Sequence, residues 1–417
     1  MTATDPHRVS DRAIEAVWRI ESARVVAGLA RLVGDVGLAE DLAQDALLIA
    51  LEQWPRDGVP PNPGAWLMST AKHRAIDQLR RRTNYQRKLE EIGRAQEEGF
   101  EPDLADAIDD QIGDDVLRLV FTACHPVLST EAKVALTLKV LAGLRTDEIA
   151  RALLVPESTV AQRIVRAKRA LTGVAFELPS PPELAERLAN VLEIIYLIFN
   201  EGYSATAGDD WTRPALCEEA MRLGRVLAGL ATEEPEVHGL LALMELQASR
   251  LAARTGPEGE AILLPDQDRR RWDRLLIRRG LAALDRAAAL GGGYGPYALQ
   301  AAIAASHARA SRAEDTDWER IAALYQVLAY VSPSPVVELN RAVAVGFAEG
   351  PAEGLAIVDA IAGDKSLAQY PHLAAVRGDL LARLGRADEA RREFARAAAL
   401  SRNDRERAVF EARASAD

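Results

Sequence analysis

Apolar residues recur along this chain at the spacing of an α-helix, and no stretch alternates apolar and polar residues at the period of a strand. That pattern makes an all-α fold the expectation. Composition agrees: Ala, Leu and Arg dominate and only 5% of residues are aromatic. Such residues give up little side-chain freedom in a helix. A chain of 417 residues has room for several domains, and 48% hydrophobic residues supply their cores. Two cysteines, Cys124 and Cys217, are too few for a disulfide framework or a four-thiolate metal site, which fits a reducing compartment. The N-terminal MTATDPHRVSDRA lacks an apolar signal core, and no apolar run approaches membrane-spanning length. A cytoplasmic protein with no membrane partner is expected.

The net charge of −11 argues against a nucleic-acid binder only if the charge is spread evenly, and it is not. Residues 1–88 carry 13 basic and 11 acidic residues, and 89–115 carry 1 and 11. Residues 116–172 carry 9 and 4, and 173–417 carry 28 and 36. Two cationic modules are thus joined by a strongly acidic segment and followed by an acidic half. The acidic segment reads as a flexible linker with one short helix around 104–112. It is either a solvated spacer or a mimic of nucleic-acid charge that shields the basic modules. The proline cluster LPSPPEL (178–184) marks a second boundary. The expected layout is 10–88, linker 89–115, 116–175, and a helical region 180–417.

In the first module, LAEDLAQDALLIALEQW (38–54) turns by about 100° per residue. Leu42, Ala46, Ile49, Ala50 and Trp54 then share a buried side. Asp41, Gln44, Asp45, Leu48 and Glu52 share the other, which is plain solvated surface or a docking face for a basic helix. After the turn-rich WPRDGVPPNPG comes AWLMSTAKHRAIDQLRRR (65–82), with Met68, Ala71, Ala75 and Leu79 as its apolar stripe. Trp66, His73, Asp77 and Arg80 lie on another face, flanked by Arg74 and Arg81. Seven basic residues and one acid lie between Lys72 and Lys88. A basic C-terminus complementing the helix dipole explains Arg80–Arg82 but not the length of the run. Cations beside an exposed aromatic suit single-stranded or melted nucleic acid, where phosphates meet Lys/Arg and bases stack on the ring.

AEDLAQDALLIALEQW followed by NPGAWLMSTAKHRAIDQLRRR resembles the core domain of bacterial RNA polymerase σ factors of the extracytoplasmic-function (ECF) group. The resemblance implies that the first helix docks on the β′ clamp helices of core polymerase through Asp41, Gln44, Asp45 and Leu48. It places Trp66, Lys72, His73, Asp77, Arg80 and Arg81 near the melted −10 element. Many members carry Asn where this chain has His73.

In the second module, residues 129–171, Ser129 is a plausible N-cap and Gly143 ends the first helix. Thr146 can cap the short helix TDEIARALL, and a turn at 155–157 leads to a third helix. There Val160, Ile164, Ala167 and Leu171 form a buried stripe. Ser158, Thr159, Gln162, Arg163, Arg166 and Arg169 occupy the opposite arc, with Lys168 nearby. This is a helix-turn-helix pattern, whose Arg and Gln forks read guanine and adenine in the major groove. An ordinary bundle surface would not combine the short first helix, the turn spacing and a one-sided basic arc. The segment also resembles the −35-binding domain of ECF σ factors, although Pro156–Glu157 replaces the more usual Ser–Glu in the turn.

Beyond about residue 175 the chain continues with helices and short turns. Gly378, Ala390, Phe394 and Ala397 fit the spacing of a tetratricopeptide (TPR) pair, and Gly354 lies 36 residues before Ala390, near the TPR period. FNEGYSAT (199–206), DQDRRRWDR (266–274) and GPYALQAAIAASHARA (295–310) resemble the extension of one ECF subgroup with a helical, TPR-like C-terminal region. The resemblance implies regulation, with a protein or peptide as partner; a structural role is the rival reading.

Other chemistry finds little support. The six histidines form no HxxxH or HExxH pair, so no metal is expected. GGGYG (291–295) lacks the Lys-Ser/Thr of a P-loop. Cys124–His125 reads as a buried thiol beside a capping histidine, and Asn200, Glu201 and Tyr203 as a buried polar contact. The expectation is therefore a non-enzymatic σ factor without cofactor, bound to core polymerase (β′ and β subunits) and promoter DNA. A one-component helix-turn-helix activator is the alternative, but it needs no β′-docking helix. An enzyme with an appended DNA-binding domain would need a polar pocket in 180–417.

Overall fold

A computed structural model describes residues 6–91, 112–153, 155–204, 212–257, 260–291 and 293–415. Among the described residues the chain is 77% helical and has no strand. Eighteen α-helices and one isolated antiparallel bridge, Thr255 to Ala261, are present among the described residues. Two compact units, 1–194 and 195–417, divide inside one helix, Pro181–Tyr203. Most of the expected linker, 92–111, including its short helix, lies outside the described residues.

The first unit opens with α1 (Pro6–Val33), α2 (Val36–Asp57) and α3 (Pro63–Glu91). Gly34 at φ +69 turns the chain, and the Asp35 carboxylate accepts the Leu38 N–H at 2.8 Å to start α2. Asn62 starts α3 in the same way, taking the Ala65 N–H at 3.1 Å. The core comprises Ile14, Val25, Val26 and Leu29 of α1, the Leu42–Ala46–Ala50–Trp54 stripe of α2, and Leu67, Ala71 and Ala75 of α3. Ile49 is only half-buried.

Next come α4 (Ile112–Ala123), α5 (Thr130–Val140), α6 (Thr146–Leu153) and α7 (Glu157–Ala170). The acidic run ends in folded structure: Asp115 of α4 is buried and pairs with Arg31 at 3.2 Å and Arg118 at 2.6 Å. A carboxylate so far from water needs such partners. Ser129 caps α5 as expected. At α6 the Glu148 carboxylate, rather than the Thr146 hydroxyl, takes the Arg145 N–H at 2.8 Å and also pairs with Arg19 of α1 at 3.0 Å. Cys124 is buried and its thiol is pushed up to about 11 by that burial. His125 Nδ1 accepts the Val127 N–H, closing the turn before α5.

The second unit begins within α8 (Pro181–Tyr203) and continues through α9 (Pro214–Leu230) and α10 (Pro235–Ala248). Turns and single 3-10 helices then lead to α11 (Arg274–Ala289), α12 (Pro296–Arg309) and α13 (Trp318–Val331). Prolines start α9, α10 and α12, where a missing N–H costs nothing. Val237, Leu240, Leu241, Ala242, Leu243, Met244 and Leu246 are all buried, so α10 is apolar nearly all round and lies at the centre of α9, α11 and α12.

The remaining helices are α14 (Pro335–Ala348), α15 (Pro351–Ile361), α16 (Pro371–Arg383), α17 (Ala387–Leu400) and α18 (Asp404–Ala414). The small residues expected at paired-helix contacts are where the spacing put them. A Cβ on Gly354 would lie 2.6 Å from the Ala342 carbonyl, and one on Gly378 about 3.0 Å from the Phe394 ring.

Candidate nucleic-acid and polymerase interface

Helix α7 sorts its residues as the sequence pattern requires. Val160, Ile164, Ala167 and Leu171 are buried; Ser158, Gln162, Arg166 and Arg169 are exposed, and Thr159 and Arg163 are half-buried. Its N-cap is Pro156, which provides no side-chain hydrogen bond. The Pro156 carbonyl instead closes the first turn, accepting the Thr159 N–H at 2.9 Å. A turn of α6 with Ile149 and Ala150 buried supports it from behind.

On α2, Leu48 is 58% exposed and Leu51 39%, an apolar ridge beside the acidic stripe. Asp45 ties α2 to α3 through Arg74 at 2.9 Å. Asp41 reaches outward, yet its Oδ1 accepts a hydrogen bond from Lys168 Nζ at 2.8 Å. Lys168 also pairs with Glu40, and Gln44 donates to the same Glu40 carboxylate. Glu40 is 4% exposed and pairs with Lys139 of α5 at 3.6 Å as well. Burial pulls the Lys168 ammonium down, but the Glu40 and Asp41 carboxylates together outweigh it and the net shift is upward. The approach is close: a Cβ on Gly37 would sit 3.3 Å from Lys168 Cβ.

The expected polymerase face and the expected −35 helix therefore meet. Three of the four residues expected to dock, Asp41, Gln44 and Asp45, already have partners in this unit, and Leu48 is 58% exposed. Sequence reasoning missed Glu40, the buried hub of this contact. Its only local signal is a carboxylate on the flank of an apolar stripe.

On α3, His73, Asp77 and Arg80 are exposed and Lys72 is half-buried; the Arg81 side chain lies outside the described residues. Trp66 differs from expectation. It is half-buried, edge-on to Trp54 with ring centroids 5.2 Å apart, because the short turn after α2 brings the two indoles together. Among the described residues no cluster of His, Cys, Asp or Glu is placed to hold a metal ion. No described helix is long and apolar enough to cross a membrane.

Residues 19–85 match the Sigma-70 region 2 family and 118–171 the Sigma-70 region 4 family. Residues 187–288 match a family of unknown function, DUF6596. A protein of Rhizobium meliloti (strain 1021), described as uncharacterized, is 45% identical over 390 residues, covering 93% of this chain and 92% of its own. A probable ECF RNA polymerase sigma factor, SigI, of Mycobacterium tuberculosis (strain ATCC 25618 / H37Rv) is 26% identical over 156 residues, 37% of this chain and 53% of that one. The same match is found in strain CDC 1551 / Oshkosh. No solved structure matches. Two σ modules in order, followed by a helical C-terminal region, place this chain in one family: it belongs to the extracytoplasmic-function RNA polymerase σ factors, in the subgroup with a helical C-terminal extension.

Proposed function

We propose that the chain directs core polymerase to a two-element promoter. Helix α2 docks on the polymerase through Asp41, Gln44, Asp45 and Leu48. Helix α3 and the turn before it engage the −10 element through Trp66, Lys72, His73, Asp77, Arg80 and Arg81. Helix α7 reads the −35 element through Ser158, Thr159, Gln162, Arg163, Arg166 and Arg169, with Arg and Gln as the base-reading forks. The observation that carries this reading is the sorting of α7, a basic exposed arc opposite a wholly buried stripe. The Lys168 contact adds a condition. Polymerase competes with α7 for Asp41, so the −35 helix leaves α2 before the holoenzyme forms. The C-terminal region modulates this activity, with a protein or peptide as its partner; stacked helix pairs offer the surface for one.

Run-off transcription tests the reading. Purified protein added to core polymerase should give promoter-specific initiation, and equal initiation by core alone sinks it. A chain shortened after residue 203 keeps Arg187 and Asn190 of α8 on their partners, the Phe121 carbonyl and Lys133. Its promoter activity should differ from that of the full chain; identical activity removes the modulating role.

A further inference from the structure

Three stretches with no part in promoter binding, FNEGYSAT, DQDRRRWDR and GPYALQAAIAASHARA, lie more than 20 residues apart in sequence. In the second unit they converge on one cluster. Tyr203 comes from the first, Arg269 and Trp272 from the second, and His307 from the third. Arg250 and Arg254, just past α10, join them. The Arg254 guanidinium lies 3.8 Å from the Tyr203 ring centre. Arg250 lies 5.7 Å from Tyr203 and 5.8 Å from Trp272, and Arg269 lies 5.0 Å from Trp272. Arg250 thus lies between the two rings, with Arg254 over Tyr203 and Arg269 beside Trp272.

Arg269 is held rigidly. Its Nη1 donates to the His307 and Ala310 carbonyls at 2.8 and 2.9 Å, and its Nη2 to Thr316 Oγ1 at 2.9 Å. Its Nε remains buried without a hydrogen-bond partner, as do Trp272 Nε1 and His307 Nδ1. These residues are 6%, 3% and 9% exposed. Leaving buried donors unsatisfied is costly, and native proteins rarely do so without a use for them.

The charge balance points the same way. Among the described residues no carboxylate pairs with Arg250 or Arg269. Burial and Arg250 lower Arg254 against the opposing pull of Tyr203, and lower Arg269 against that of Asp315 and Glu314; burial followed by Arg250 and Arg269 brings His307 down to about 3. Positive charge is concentrated and partly desolvated here, the condition that an entering anion relieves. Arg269 and Gln267 also line an open recess of about 580 Å³, whose walls carry Arg270 and Arg312 together with Asp268 and Glu314.

We propose that Arg250, Arg269, Trp272 and His307, with Arg254 and Tyr203, form a binding site for a small oxyanion ligand, a carboxylate or a phosphate. Arginine forks suit the paired oxygens of either group, and the indole N–H adds a neutral donor. Such a site makes the C-terminal unit a receptor for a small acidic molecule, whatever becomes of the promoter reading.

The competing source of negative charge is this chain's own Asp315 and Glu314, which act on Arg269. The test is a thermal titration of the full-length protein with inorganic phosphate and, separately, with succinate, at constant ionic strength set by chloride. One of the two should raise Tm saturably, and which one does so identifies the ligand group. Arg250→Met should weaken that binding about tenfold or more, the worth of a hydrogen bond to a charged group. The same variant should melt no lower than the parent when free of ligand, because a like charge is removed from a crowded site. A purely structural arginine would instead lower Tm on removal. No saturable shift with either anion, or a shift that survives Arg250→Met, overturns the proposal. So does a response seen only after Glu314→Gln/Asp315→Asn, which would show the chain's own carboxylates filling the site.

Discussion

Replacing Lys168 by Met keeps the length of the side chain and removes its charge. The ammonium it removes is 18% exposed and bonds to Glu40, whose side chain is 5% exposed, and to Asp41, which is 70% exposed. Breaking a buried pair costs about 3–5 kcal/mol, and a pair with an exposed partner is worth about 1 kcal/mol or less. Glu40 keeps Lys139 at 3.6 Å, so the loss falls below the upper range. About 2–3 kcal/mol of the contact between α2 and α7 should disappear. If polymerase binds only the opened protein, its apparent affinity for this σ factor rises by the same free energy, about 30- to 150-fold. The assay is fluorescence titration of labelled protein with core polymerase and no DNA, so that any change in promoter contact is invisible. Glu40→Gln provides a control, because Glu40 is buried and offers polymerase no new contact. It should strengthen binding in the same direction. Asp41→Arg should instead abolish it, since that side chain belongs to both contacts. Unchanged or weaker affinity in correctly folded Lys168→Met and Glu40→Gln proteins refutes the reasoning.

Arg166→Ala should weaken holoenzyme binding to promoter DNA and flatten its salt dependence by roughly one counterion, read from filter binding at several salt concentrations. An unchanged affinity and slope would remove Arg166 from the DNA face. Gly354→Val places a side chain against the Ala342 carbonyl and should cost the α14–α15 pair about 1–3 kcal/mol, visible as a lower melting temperature. His307 carries a pH dependence of definite sign. Folding holds it neutral, with its pKa brought from 6.5 to about 3, so the unfolded chain binds the extra proton. The stability this contributes is complete above pH 6.5 and is lost as pH falls toward 3, about 2 kcal/mol of it by pH 5. Urea melts at pH 7 and pH 5 should show this difference between the parent and His307→Asn, without added anions; parallel losses in both would exclude it.

Much of this molecule is legible in one dimension because helices report themselves locally. The stripe Val160–Ile164–Ala167–Leu171 follows from a period of 3.6 residues, and burial of that stripe forces the basic arc outward. Ser129 caps a helix for reasons contained in four residues. Gly354 and Gly378 mark helix contacts because only small residues allow such approach. Where local chemistry decides, the reading holds.

Tertiary structure alone decides which of these elements meet. Glu40 and Lys168 are 128 residues apart, and nothing near either announces that a buried carboxylate will draw α7 onto α2. The exposure of Trp66 depends on Trp54, which arrives through a turn of irregular residues. The cationic cluster around Trp272 is assembled from separate stretches whose charges look like ordinary surface when read in order. The physical reason is common to all three. Periodicity tells which side of a helix is buried, because that depends on neighbours a few residues away. Desolvation and pairing of charge depend on which distant helix supplies the covering surface, and only the folded chain contains that information.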